Sequence, residues 1–227
     1  MDQQTQGPAG DMTTMASRMM TALRDAIVRL ELKPGDTISE AEIADKYGVS
    51  RQPVREAFIR LAQQGLLLIR PKRATLVKRI DVESIRHSRF IREAIEVEIV
   101  RRAAAEATAA TGKLLEAVMA DQDAAGKAGD LVRFHGLDEL FHRSLAQTVG
   151  AEYAWQLVDD HKMQLDRLRF ITLPSADPSR IVAEHRLIAK AVMAGDPAAA
   201  ETALRDHLGK SEGLLLQARL DFPDYFA

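Results

Sequence analysis

The sequence contains no cysteine among its 227 residues, which excludes disulfide bonds and thiolate metal sites. It also lacks any apolar run that approaches the roughly 20 residues needed to span a bilayer. Residues 1–11 do not show the basic-then-apolar order of a signal peptide, and they predict a loose tail. We therefore expect a cytoplasmic protein with no membrane partner.

Charge of one sign is concentrated in the first third of the chain, although the net charge of the whole is only −2. Between Ser50 and Ile80 there are eight basic residues and a single acid, Glu56. Such a run alone is more often a solvated surface, but concentrated positive charge also favours a polyanionic partner. We favour the second interpretation because the run coincides with the helical pattern described next.

The pattern of residues 12–79 predicts a helix-turn-helix followed by a hairpin. Apolar residues recur at helical spacing over 12–32, and Pro34-Gly35 should end that helix. A second helix should begin at Ser39, because Ser39 and Glu42 form a capping-box pattern. Gly48 then permits a sharp turn into a third helix.

The third helix, expected over residues 50–64, has the features of a recognition helix. Arg51, Gln52 and Arg55 fall on its exposed side near the amino end, which is the part that reaches base edges in the major groove. Arginine can bond guanine bidentately, and glutamine can bond adenine in the same way. Ser50 and the backbone N–H groups at the helix start suit a phosphate.

A basic hairpin should follow this helix directly. Residues 66–69 and 75–78 look like two strands joined by a tip that contains Lys72 and Arg73. A basic tip beside a recognition helix can contact the DNA backbone or the minor groove.

These features resemble one family. Gly48-Val49-Ser50-Arg51-x-Pro53-Val54-Arg55-Glu56-Ala57, with Leu61 and Gly65-Leu66 after it, is similar to the GntR family of bacterial transcription regulators over roughly residues 14–79. The resemblance implies that Arg51 and Arg55 are the main base or phosphate contacts. A homodimer would read a two-fold symmetric operator in double-stranded DNA, one half-site per recognition helix. Ala41 and Ala74 depart from the usual arginine and glycine of the family.

From residue 81 onward the pattern is helical and shows no strand-like alternation. We expect helices near 81–109, 111–127, 130–149, 151–172, 178–194 and 197–219. The fold class is therefore mainly α. It comprises a winged helix-turn-helix over 12–79 and an antiparallel bundle of about six helices over 80–221. Residues 222–227 are expected to form a second tail.

Histidines on apolar helix faces mark the candidate site. Asp138 and His142 are four residues apart and share one face of a helix, while His185 and His207 lie among apolar residues on later helices. A single such histidine is more often a hydrogen-bonded core residue than a ligand. Three of them with an aspartate are easier to explain if a cation neutralises the carboxylate and binds the imidazoles.

This helical region is similar to the ligand-binding domain of the FadR-type branch of the GntR family, over about residues 82–219. Asp138-x-x-Phe141-His142, Glu184-His185 and Asp206-His207 match the metal-binding subset of that branch. The resemblance implies a divalent metal ion bound by Asp138, His142, His185 and His207. Zinc is the preferred ion, and nickel and manganese also suit this ligand set.

In related proteins the open metal positions face a cavity and receive a carboxylate effector. We therefore expect a small organic acid, with Arg92, Arg143 and Arg169 as candidates to bind its second charged group. An internal salt bridge explains each arginine equally well. The predicted function is a transcription repressor, not an enzyme, with operator affinity controlled by the acid.

Two alternatives stay open at this point. One is a DNA-binding regulator with a purely structural metal. The other is a metal-dependent hydrolase in which Glu139 or Glu184 would act as the base.

Overall fold

The computed structural model describes residues 14–70 and 73–227. The chain divides into two compact units. The first contains residues up to Ile27 together with Glu31–Lys78, and the second contains Val28–Leu30 together with Arg79–Ala227. Within the described residues, no helix is both long enough and apolar enough to cross a bilayer.

The first unit has the winged helix-turn-helix architecture that the sequence predicts. Its elements in chain order are α1 (Met15–Val28), β1 (Thr37–Ile38), α2 (Glu40–Tyr47), α3 (Arg51–Gln63), β2 (Leu67–Leu68) and β3 (Thr75–Val77). The three strands form an antiparallel sheet in the order β1-β3-β2. Strand β1 was not predicted, because two residues are too few to show an alternating pattern.

The turn between α2 and α3 follows from local chemistry. The Ser39 side chain accepts a hydrogen bond from the Glu42 backbone N–H, and the Glu42 carboxylate accepts one from the Ser39 backbone N–H. This completes the capping box at the start of α2. Gly48 ends the helix with φ +64°, a left-handed conformation that glycine adopts without steric cost.

Helix α1 is shorter than the predicted helix over 12–32. Its predicted start falls outside the described residues, and its last residue is Val28. The chain turns at Leu30, which has φ +61°. The helix therefore ends before the Pro34-Gly35 pair that was expected to end it.

The second unit is helical throughout, with eight α-helices and two short 3-10 helices in its described residues. The α-helices are α4 (Val82–Glu106), α5 (Ala109–Lys127), α6 (Leu131–Thr148), α7 (Glu152–His161), α8 (Met163–Thr172), α9 (Pro178–Met193), α10 (Pro197–Gly209) and α11 (Ser211–Asp221). The main core lies between α4, α5, α6, α7, α9 and α10. This mainly helical fold is the predicted class.

Two predicted helices are each divided in the structure, which is why there are eight helices instead of about six. The helix over 151–172 is interrupted at Lys162, where the His161 carbonyl accepts a hydrogen bond from the Ser88 hydroxyl at 2.6 Å. The helix over 197–219 is interrupted at Lys210, where the Ser211 hydroxyl donates to the Leu208 carbonyl at 2.8 Å. Side-chain hydroxyls thus bind carbonyls at both interruptions.

The end of the chain is packed and is not a loose tail. Phe226 is buried, and the backbone N–H of Ile80 donates to the Tyr225 carbonyl at 2.7 Å. The Ala227 N–H donates back to the Ile80 carbonyl at 3.0 Å. These hydrogen bonds fix residues 222–227 beside the start of the second unit, so the expectation of a tail was wrong.

Candidate functional site

The four predicted metal ligands meet in the interior of the second unit. Asp138 and His142 come from α6, His185 from α9 and His207 from α10. One potential ligand atom from each lies within 4.8 Å of the other three. The imidazole ring centroids are 4.9 to 5.3 Å apart. Residues separated by up to 69 positions therefore converge on one point of the core.

Each of the three imidazoles has a polar partner at its Nδ1 atom. The Nδ1 of His185 lies 2.8 Å from Gln122 Oε1, and that of His207 lies 2.9 Å from Glu184 Oε2. The Nδ1 of His142 lies 2.8 Å from Glu96 Oε2, a close contact that lacks the angles of a hydrogen bond. Metal-binding histidines commonly use one ring nitrogen in this way, which orients the other toward the metal.

The remaining ring nitrogens are those suited to metal binding. The Nε2 atoms of His142 and His185 are buried and have no hydrogen-bond partner. An unsatisfied buried nitrogen is costly, and a cation at the centre of the cluster would satisfy both. The donor set of three nitrogens and one oxygen fits zinc, nickel or manganese.

Electrostatics also prepare these groups as ligands. Burial lowers the pKa of His185 well below its usual range and also lowers the pKa of His207, so both imidazoles are neutral. Burial alone would raise the pKa of Asp138, but the nearby Arg169 guanidinium holds it well below the usual range. Neutral imidazoles and an ionised carboxylate are the forms that bind a metal ion.

Arg169 contacts Asp138 on the oxygen away from the imidazoles. Its Nη1 lies 2.7 Å from Asp138 Oδ2 and 2.8 Å from Glu139 Oε1. The other oxygen, Asp138 Oδ1, lies 3.4 Å from His185 Nε2. One carboxylate oxygen is therefore available to the cluster while the other is fixed by the arginine.

A cavity of about 660 Å³ borders the cluster, and Asp138 and His207 form part of its wall. Of the three arginines predicted to bind an effector, Arg92 and Arg169 line this cavity. Arg143 is exposed and is not among the lining residues, so the structure gives it no place in the site. It projects from α6 one position after a buried histidine, and adjacent helical residues point in different directions.

Arg92 is almost completely buried and is paired with Glu96. Its Nε lies 2.5 Å and its Nη2 3.3 Å from the Glu96 carboxylate. Burial disfavours both charges, but their mutual attraction raises the pKa of Arg92 and lowers that of Glu96. The third nitrogen, Nη1, has no hydrogen-bond partner.

A second polar cluster beside the site was not predicted. The ammonium group of Lys162 lies 2.8 Å from Glu139 and 2.6 Å from Asp166, and all three side chains are largely buried. His135 is also buried, with its Nε2 3.5 Å from Asp166 Oδ1. The geometry of His135, Glu139 and Asp166 could suit a metal ion, but Lys162 already supplies the positive charge.

In the first unit, α3 presents the predicted recognition side chains. Arg51, Gln52 and Arg55 are exposed, as is Ser50, which precedes the helix but forms no side-chain capping bond. Arg55 donates from Nε and Nη2 to the Glu40 carboxylate at 3.0 to 3.2 Å. The Gln52 amide donates to the carboxylate of Glu56, one turn further along α3, at 3.0 Å.

Only part of the wing tip lies within the described residues. Arg73 is exposed at the tip, whereas Lys72 falls outside the described residues. The Arg70 guanidinium donates to the Ala74 carbonyl at 3.0 and 3.1 Å, which joins the two strands of the hairpin.

Comparison with known proteins identifies the class. Residues 15–77 match the gntR family of bacterial regulatory proteins, and residues 89–210 match the FCD domain. The HTH-type transcriptional repressor RspR of Escherichia coli (strain K12) is 36% identical over 206 residues, which is 90% of each chain. An HTH-type regulator in an unstable DNA locus of Streptomyces ambofaciens is 39% identical over 207 residues, covering 90% of this chain and 86% of that one.

Among solved structures, E. coli McbR/YncC has the same fold, with a TM-score of 0.77 at 19% sequence identity. The alignment covers 90% of this chain and 98% of that one. The chain belongs to the gntR family and is a DNA-binding transcription regulator with an FCD effector-binding domain. It is not an enzyme, so the hydrolase alternative is set aside.

Proposed function

We propose that this chain is a homodimeric repressor whose operator affinity is controlled by a small carboxylic acid at a divalent metal ion. Asp138, His142, His185 and His207 bind the ion, and zinc is the preferred metal. The observation that carries the proposal is the convergence of these four groups with two buried Nε2 atoms that have no partner. As a member of a family of bacterial DNA-binding regulators, the protein would act in the cytoplasm, where bacterial DNA lies.

The cavity supports the role of the acid. Asp138 and His207 belong both to the ligand cluster and to the cavity wall, so an acid in the cavity would lie beside the metal. Arg92 belongs to the same wall, and its buried Nη1 has no hydrogen-bond partner. A carboxylate is the group that matches both a divalent cation and a guanidinium.

DNA recognition is assigned to the start of α3 and to the wing. Arg51, Gln52 and Arg55 would contact base edges, and Ser50 would contact a phosphate. Lys72 and Arg73 would contact the DNA backbone or the minor groove. In a homodimer the two α3 helices would bind the two halves of a symmetric operator.

The repressor role is supported by the name of the relative RspR, a transcriptional repressor. An acid that relieves repression must bind more tightly to the form of the dimer that does not fit the operator. Regulation requires this unequal binding, because a ligand with equal affinity for both forms does not change the equilibrium between them.

The metal assignment is tested by elemental analysis of the purified protein and of a variant with His185→Ala and His207→Ala. We expect bound metal in the first and none in the second, with circular dichroism as a control for folding. Full retention of metal in the variant would refute the ligand set. If metal binds but no acid alters operator binding, the structural-metal alternative is the better one.

A further inference from the structure

Both polar and apolar side chains line the cavity in the second unit, but the apolar ones supply most of its surface. Side chains from α4, α6, α8, α9, α10, α11 and the 3-10 helix at Leu173–Ser175 line it. The apolar ones include Phe134, Leu165, Leu168, Leu173, Ile181 and Leu214. The volume of about 660 Å³ lies within the usual range for pockets that bind drug-sized ligands, about 300–1,000 Å³.

The cationic side chains of this wall are already paired with carboxylates. Arg89 lies 3.2 Å from Glu212, and Arg180 lies 3.5 Å from Glu184. Lys210 also contacts Glu184. A second anionic group on a ligand would therefore have to displace one of these pairs.

Arg92 differs from these residues. Two of its three guanidinium nitrogens contact Glu96, while Nη1 is buried without a hydrogen-bond partner. An unsatisfied buried N–H of a charged group is costly, and a carboxylate oxygen would satisfy it. Arg169, which lines the same cavity, is already paired with Asp138, so Arg92 is the cation of this wall that we assign to an anionic group.

We infer that the effector is a monocarboxylic acid with an extended apolar body, and not a small hydroxy acid or a polycarboxylate. This inference rests on the proposed function, because it assumes that the cavity is the effector site. The carboxylate would contact Arg92 and the metal ion, and the apolar body would fill the remainder of the cavity. A hydroxylated body would lose hydrogen bonds with water wherever it lies against the leucine side chains of the wall.

The size of the expected effect follows from apolar burial. Each buried methylene contributes about 0.8 kcal/mol, which corresponds to about fourfold in affinity. Affinity should therefore rise about fourfold per methylene until the acid fills the cavity. A second carboxylate at the other end of the acid should lower the affinity again, because it would lose its hydration without gaining an unpaired cation.

Isothermal titration calorimetry on the zinc-loaded full chain tests this directly. The ligands are butyrate, hexanoate and octanoate, their diacid counterparts adipate and suberate, and the polar acids gluconate and citrate. We expect octanoate to bind most tightly and suberate to bind at least tenfold more weakly than octanoate. Tighter binding of gluconate, citrate or suberate than of octanoate would overturn the inference while leaving an acid-controlled regulator intact. Binding of zinc without binding of any acid would contradict the proposed function itself.

A matched pair of variants locates the apolar body. Leu214 lines the cavity and is 38% exposed, whereas Leu216 on the same helix is 55% exposed and does not line it. Because both side chains are partly exposed, Leu214→Asn and Leu216→Asn should both fold. Leu214→Asn should weaken octanoate binding several-fold and leave butyrate unchanged, and Leu216→Asn should change neither. Equal effects of the two substitutions on octanoate would place the apolar body elsewhere.

Discussion

Replacing Gln122 with leucine would remove an acceptor from the proposed metal site without removing a ligand. Gln122 and His185 are both fully buried, and Gln122 Oε1 lies 2.8 Å from His185 Nδ1. Leucine has a similar volume, so the packing of α5 against α9 should change little. The substitution removes this hydrogen bond and a longer one, 3.5 Å, from Gln122 Nε2 to Asp138 Oδ1, while all four proposed ligands stay in place.

We expect Gln122→Leu to destabilise the metal-bound form more than the metal-free form, and so to weaken zinc binding. With a metal on Nε2, the proton of His185 must be on Nδ1, and in Gln122→Leu this N–H would be buried without an acceptor. Without a metal the proton can move to Nε2, which faces Asp138 Oδ1 at 3.4 Å. Residues that support a metal ligand in this way typically contribute 10- to 100-fold in affinity, or about 1.4–2.8 kcal/mol.

The assay is competition for Zn²⁺ with a chromophoric chelator, with urea unfolding of the metal-free protein measured in parallel. Gln147→Leu, at an exposed position of α6, is the control for a glutamine-to-leucine change. We expect weaker zinc binding in Gln122→Leu alone and a smaller change in the free energy of unfolding. Zinc affinity equal to that of the unaltered protein would refute the assigned role of His185.

Three further predictions concern charged groups. Arg55→Ala should weaken operator binding by about 1–3 kcal/mol. Glu40→Gln should free Arg55 from its ion pair and strengthen binding to random DNA. Both are measured by fluorescence anisotropy, and unchanged affinities would refute the contact of Arg55 with DNA. Lys162→Met removes the ammonium group between two buried carboxylates, leaving Glu139 with Arg169 and Asp166 with His135, and should lower the free energy of unfolding in urea by about 3–5 kcal/mol. Lys127→Met, at an exposed ion pair, should lower the free energy of unfolding by only about 0–1 kcal/mol. Equal decreases for Lys162→Met and Lys127→Met would contradict the argument from burial. Arg92→Lys keeps a positive charge but removes the free Nη1, so calorimetry should show acid binding weakened about tenfold; unchanged binding would exclude Arg92 as the anchor.

Local patterns predicted the helix-turn-helix well because its signals lie close together in sequence. Ser39 and Glu42 are three residues apart and form the predicted capping box, and Gly48 ends α2 in the left-handed conformation. The exposed positions of Arg51 and Arg55 follow from helical periodicity alone. For the second unit, the predicted ligands were found from a motif, and periodicity placed each on a helix.

Contacts between distant residues could not be predicted in this way. The interruption at Lys162 carries no glycine or proline and depends on a hydroxyl from Ser88, 73 positions earlier than the carbonyl it binds. Gln122 supports His185 across 63 positions, and nothing in the surrounding sequence distinguishes it from a surface glutamine. Arg143 was proposed from its residue type alone, and residue type does not indicate whether a side chain lines a cavity or faces solvent.

Operator affinity, measured with metal-loaded and metal-stripped protein, bears most directly on the proposed regulation. The operator would first be selected from random duplex DNA, and fluorescence anisotropy would then be recorded with and without the acid that binds most tightly. We predict that the acid weakens operator binding only when the metal is present. An equal effect of the acid on metal-loaded and metal-stripped protein would contradict a metal-bound effector.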